Sequence, residues 1–107
     1  MEVNKYAFRK FRDSLAKYGY PMNVMLEIFM RQYVLGKILL DEENVLFFRE
    51  YVGEKELLRT TVNREVRDRY FTFCRENGMA TRIPIIVFMQ EYSEGKFVPE
   101  LRKVAEN

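Results

Sequence analysis

Apolar residues recur at helical spacing in four stretches of this 107-residue chain. Between Lys5 and Tyr18, the residues Phe8, Phe11, Leu15 and Tyr18 follow at intervals of 3, 4 and 3, one face of an amphipathic helix. Gly19 supplies its stop. From about Met22 to Leu35 the apolar positions Val24, Met25, Leu26, Ile28, Phe29, Met30 and Tyr33 cover a wide arc, which predicts a helix buried on two sides and closed by Gly36. Val66, Tyr70, Phe73 and Cys74 mark a third helix ending at Gly78. A fourth runs from about Arg82 to Ser93, with Thr81 as N-cap, Pro84 in the first turn and Gly95 beyond it.

The middle of the chain has a different pattern. Val45–Tyr51 (VLFFREY) is rich in β-formers, Gly53-Glu54-Lys55 has turn chemistry, and Leu57–Val62 (LLRTTV) is β-like again. Together they predict a β-hairpin. The expected fold is α+β and mostly helical: helix–helix, β-hairpin, helix–helix, then a polar tail over residues 98–107.

The four helices are one unit written twice. A shift of 59 places lays residues 3–38 on residues 62–97 without a gap, with 8 identities in 36 positions. These pair Val3-Asn4 with Val62-Asn63, Gly19 with Gly78, Phe29-Met30 with Phe88-Met89, Tyr33 with Tyr92 and Gly36-Lys37 with Gly95-Lys96. An internal repeat of this kind points to one supersecondary unit used twice. The alignment also assigns Ile83–Phe88, ambiguous by itself, to a helix, because it overlies Val24–Phe29. The length suits a single domain (repeat 1 at 3–38, connector 41–62, repeat 2 at 62–97).

Composition removes several functions. With no histidine and one cysteine, the chain lacks the commonest general acid/base and the usual zinc ligands, so no metal or cofactor site is expected. Cys74 aligns with Leu15, which predicts a buried apolar position. There is no glycine-rich phosphate loop, nucleophile elbow or nucleophile with a partner base, so the protein is not expected to be an enzyme. No apolar run approaches membrane length and no leader pattern opens the chain, so a cytoplasmic protein is expected. The net charge of +2 is uneven: residues 41–56 hold six acids against two bases, while both repeats are basic.

The second repeat opens Arg59-Thr60-Thr61-Val62-Asn63-Arg64, then an amphipathic helix, a Gly-Met turn and a longer helix rich in Ile, Val, Phe and Met. It resembles the ribbon-helix-helix family of small repressors, antitoxins, partition proteins and conjugation accessory proteins. The resemblance implies an antiparallel ribbon lying in the DNA major groove, which admits two strands. Alternation would turn Leu58, Thr60 and Val62 inward and Arg59, Thr61 and Asn63 outward. Arg can bond guanine and Asn adenine bidentately. The resemblance also implies a phosphate at the N-terminus of each longer helix, near Asn23 and Arg82. Lys5, Arg9 and Arg12, with Arg64 and Arg67, would add phosphate contacts.

The first repeat departs from this pattern, because only Met1 and Glu2 precede Val3 and Glu2 aligns with Thr61. Two repairs are open. Val45–Tyr51 could pair with Leu57–Val62 as a hairpin within one chain. Otherwise two chains pair their Leu57–Val62 strands, and the first repeat packs as an added helical layer. The hairpin also resembles the wing of a winged helix-turn-helix, with Arg49, Lys55 and Arg59 reaching the DNA. The leading expectation is a sequence-specific double-stranded DNA-binding protein, acting as a transcriptional repressor or as a plasmid or phage accessory at a partition or conjugative site, and working as a homodimer. A protein-interaction module, an antitoxin wrapping its toxin or a phage-encoded inhibitor, is the alternative from another class, and a toxin or relaxosome component is the second protein such a chain would meet. No membrane partner is expected.

Overall fold

In a computed structural model, which describes residues 1–51, 53–97 and 101, the repeated identities are the residues that shape the backbone. Strand β1 (Glu2–Asn4) runs directly into α1 (Lys5–Tyr18), which is followed by α2 (Met22–Val34). After the connector helix α3 (Glu42–Glu50), strand β2 (Lys55–Leu57) precedes α4 (Arg64–Glu76) and α5 (Arg82–Ser93). Asn4 and Asn63 are equivalent helix caps. Asn4 Oδ1 accepts the Ala7 N–H at 2.9 Å, and Asn63 Oδ1 accepts the Val66 N–H at 3.1 Å. Gly19 and Gly78 stop α1 and α4 with φ of 72° and 63°. In each stop the following N–H reaches back to the same carbonyl, Tyr20 to Leu15 at 3.1 Å and Met79 to Cys74 at 2.8 Å. That is the six-to-one bond of a Schellman ending, which needs a left-handed residue and therefore favours glycine.

The two units do not fold as separate helical pairs. α1 lies chiefly against α5, and α2 against α4, so each unit packs its first helix on the other unit's second. The rings follow this exchange. Phe29 stacks on its own repeat mate Phe88, with centroids 4.3 Å apart and planes at 16°. Phe11 meets Phe88 at 5.6 Å, and the equivalent Tyr70 meets Phe29 at 6.1 Å. Phe11 also meets Tyr92 at 5.4 Å, matched by Tyr70 with Tyr33 at 5.9 Å. These pairs interchange under the 59-residue shift, so an approximate two-fold axis passes beside the Phe29–Phe88 stack. Around it Met25, Leu26, Ile85, Ile86 and Met89 are fully buried. The radius of gyration of 12.8 Å is that of one folded body of this length, about 13 Å.

The strands are antiparallel, with Glu2 opposite Leu57, Val3 opposite Glu56 and Asn4 opposite Lys55. Two further bonds extend the ladder, from Lys5 N to Glu54 O and from Leu58 N to Met1 O, both 2.7 Å. The domain is thus α+β and mostly helical, as expected, but its middle differs from the sequence expectation. Val45–Tyr51 forms no strand: residues up to Glu50 belong to α3, and the predicted hairpin is absent. Local and tertiary effects outweigh its β-propensity. Asp41 caps the helix by accepting from Glu43 N at 2.9 Å and Asn44 N at 3.2 Å. Glu42 and Glu43 in the first turn and Arg49 in the last complement the helix dipole. Val45 and Phe48, three apart, sit on the buried side, and α3 packs on α5.

The predicted strand Leu57–Val62 is also displaced. Pairing occupies Lys55–Leu57, and residues 58–63 carry no regular structure. For the first repeat, the hairpin repair falls with the first of these findings. That repeat's partner strand is β2 of the same chain, paired to β1. The wing of the alternative fold is likewise absent, since Gly53, with φ of 73°, turns the chain from α3 into β2. The second-repeat helices match expectation, although Thr81 stands at the N-cap position of α5 without a side-chain bond there. Cys74 is buried, as its alignment with Leu15 implies. Of the expected polar tail, the residues other than Leu101 lie outside the described part, and Leu101 is buried.

Candidate nucleic-acid interface

Opposed residues in an antiparallel pair share a face. Val3 and Glu56 form the inner side of the ribbon, and Val3 is fully buried. Glu2 with Leu57, and Asn4 with Lys55, form the outer side. Of these four, Asn4 is 7% exposed, because it caps α1 and lies under the Gly53 turn. The outer face therefore presents Glu2, Lys55 and Leu57, and alternation past the strand end would continue it to Arg59. The sequence pattern missed Glu2 and Leu57. Glu54-Lys55-Glu56 is charged and poor in β-formers, so nothing in it marked a strand.

Beyond β2, Arg59, Thr61 and Asn63 are exposed, and Leu58 is buried with Val62 half-buried, in line with the expected alternation. Thr60 departs from it and is exposed. The Asn63 side-chain oxygen is taken up in capping α4, and its backbone N–H donates to Glu27 Oε1 at 2.7 Å. Two clefts meet at Met1. One brings Lys55 and Glu2 beside Ala80, Thr81 and Arg82 at the start of α5. The other gathers Thr61 and Arg67 over Leu26, Met30, Phe71 and Ile85. Asn23, at the start of α2, is exposed outside both clefts, as are Arg12, Arg64 and Arg49, the last of these on α3.

Much of the expected phosphate-contacting charge is paired locally. Lys5 lies 3.4 Å from Glu54, Arg9 3.7 Å from Glu56 and Lys55 3.8 Å from Glu2. Arg64 and Arg67 share Asp68 at 3.9 and 3.6 Å, and Arg12 is 3.5 Å from Asp13. Exposed pairs of this kind are worth about 0–1 kcal/mol and yield readily to a stronger anion. Arg59 and Arg82 are exposed and take no part in these pairs among the described residues.

Besides Asn4 in the ribbon, polar groups are buried at Tyr70 and Glu91 on the helices. Burial raises the Tyr70 hydroxyl well above its ordinary pKa, with Cys74 beside it adding to the effect, and the hydroxyl donates to Thr81 O at 2.6 Å. Glu91, 1% exposed, accepts the Asp41 N–H at 3.2 Å and pairs with Lys96, tying the start of α3 to the end of α5. The bond to Glu91 raises the Lys96 ammonium. Among the described residues no cluster of three His, Cys, Asp or Glu is placed to hold a metal, and no helix is long and apolar enough to cross a membrane. No family model, curated protein or solved structure matches the chain.

Proposed function

We propose that this chain is a sequence-specific double-stranded DNA-binding protein, a ribbon-helix-helix-like dimer folded from one polypeptide. Its role would be that of a repressor or of an accessory protein at a plasmid or phage site. One observation carries the reading. Two strands pair antiparallel, each precedes a pair of helices, and the helices exchange partners across an approximate two-fold axis. A two-stranded ribbon fits the major groove, and the outer face of this one carries Lys55 and Leu57, with Arg59 next along the chain. The start of α5, with Thr81 and Arg82, flanks it; Ile83 N is bonded to Ala80 O there and Pro84 has no N–H, so the Arg82 side chain and the helix dipole are what would favour a phosphate. Since β2 is already paired within the chain, one chain would supply a complete ribbon, and the expected homodimer would set two such ribbons on the DNA.

The test is selection of bound duplexes from a random pool at roughly 100 mM salt, where specific binders hold at nanomolar levels. Arg59→Ala is expected to relax the preference at one base pair, and Arg82→Ala to weaken all duplexes alike, while Arg49→Ala changes nothing. Failure of the folded chain to enrich any sequence would remove the reading. A protein-interaction role, as an antitoxin or inhibitor, is the second reading. It is favoured by the local pairing of Lys5, Arg9 and Lys55 with acids of β1, β2 and the turn before β2.

A further inference from the structure

The connector helix α3 lies outside the repeat and has an outer face that none of the described residues covers. Its residues Glu43, Leu46, Phe47 and Glu50 fall at i, i+3, i+4 and i+7, a single stripe on one side of a helix. Leu46 is 58% exposed and Phe47 53%, and Tyr51 at the helix end is 59% exposed. These are not loose side chains. The Phe47 ring meets Phe48 edge-on at 5.0 Å and Tyr51 at 5.7 Å, and Phe48 is itself 6% exposed in the core. The bond from Asp41 N to buried Glu91 secures the other end of the helix. A pre-positioned aromatic loses little freedom on binding, which is why such rings anchor interfaces.

The charge around the stripe selects the occupant. Residues 41–51 carry four acids, Asp41, Glu42, Glu43 and Glu50, against Arg49 alone. We propose that this face docks a positively charged amphipathic segment of a partner protein, whose apolar residues cover Leu46, Phe47 and Tyr51 while its Lys or Arg side chains meet Glu43 and Glu50. Nucleic acid is a poor occupant, because its phosphates would approach acids. A second copy of α3 is poor as well, since an antiparallel two-fold contact sets Glu43 against Glu50. The inference rests on α3 alone and holds whether or not the ribbon binds DNA.

The experiment is display of a random peptide library against the folded full-length chain, with the enriched peptides mapped by amide chemical shifts. Enriched peptides are expected to be basic, with apolar residues three or four apart, and to shift residues 43–51. Leu46→Ser with Phe47→Ser should weaken them at least tenfold. Glu43→Lys with Glu50→Lys should turn the selection toward acidic peptides. The proposal is overturned by enrichment without a basic bias, by shifts that map elsewhere, or by unchanged binding in folded variants. Sedimentation showing a self-associated species that disperses in the Leu46→Ser, Phe47→Ser variant would overturn it in favour of a second copy. Duplex DNA shifting residues 43–51 would overturn it in favour of nucleic acid. The wild-type shift map decides the matter even if a variant fails to fold.

Discussion

Phe29 and Phe88 are repeat mates stacked on one another at 4.3 Å, so they report directly on whether the two units share one core. Truncating either ring to alanine removes a fully buried side chain, at a cost of about 3–5 kcal/mol. A domain of this size holds only about 5–15 kcal/mol in total, so the double truncation, at about 6–10 kcal/mol, would remove most of it and leave too little to measure a coupling. Phe29→Leu and Phe88→Leu keep most of the volume and lose the ring contact, with an expected cost of about 1–2 kcal/mol each. Urea unfolding of the two single variants and the double variant closes a thermodynamic cycle. The double variant should lose about 0.5–1.5 kcal/mol less than the two singles together, because either substitution already abolishes the stack. Every variant should unfold in one transition, with fluorescence and circular dichroism coinciding, since the helices of each unit pack on the other. Additive effects within about 0.3 kcal/mol, or two separate transitions, would refute the shared core.

Three further outcomes are expected. Asn63→Ala should cost about 1 kcal/mol by uncapping α4, whereas Asn63→Ser, which keeps a capping oxygen, should recover most of it; equal losses in urea unfolding would mean that the cap contributes nothing. Gly78→Ala should destabilise by about 1–2 kcal/mol in the same assay, because the Cβ position is open and only the positive φ of 63° opposes the methyl. Stability should be level through neutral pH and fall above about pH 10, since burial raises Tyr70 in the folded state and the unfolded chain then gives up that proton first. Tyr70→Phe should lower stability by about 1 kcal/mol at pH 7 through the lost bond to Thr81, and should flatten the alkaline decline followed by thermal melts.

The local features of the repeat were legible in the sequence because they depend on neighbours in the chain. Glycine stops at Gly19 and Gly78 and the amphipathic period of α1 follow from spacings of a few residues, and the burial of Cys74 from its alignment with Leu15. The 59-residue shift showed that one unit occurs twice, and it settled Ile83–Phe88 as helix. The connector was misread for the opposite reason. Val45–Tyr51 has the composition of a strand, and its helical state depends on the Asp41 cap together with the burial of Phe48 against α5, a contact that pattern alone does not encode. The strand at Lys55–Leu57 was missed because charged residues form it only when β1 lies alongside to accept and donate its hydrogen bonds.

Of the candidate site, Arg59 and Thr61 are exposed, but so is Thr60 between them, which alternation turned inward, and the company of these residues was not readable. Tertiary structure brought Glu2 and Lys55 beside Arg82, and tied Asn63 into a helix cap and the backbone bond to Glu27. Sequence by itself determined that this chain carries two copies of a helix–helix unit with matching stops and matching apolar faces. Only the tertiary structure decided that the copies interlock. A broad apolar face records that a helix must be buried without naming its cover, and the Phe29–Phe88 stack, α1 on α5 and α2 on α4 are the cover that close packing chose.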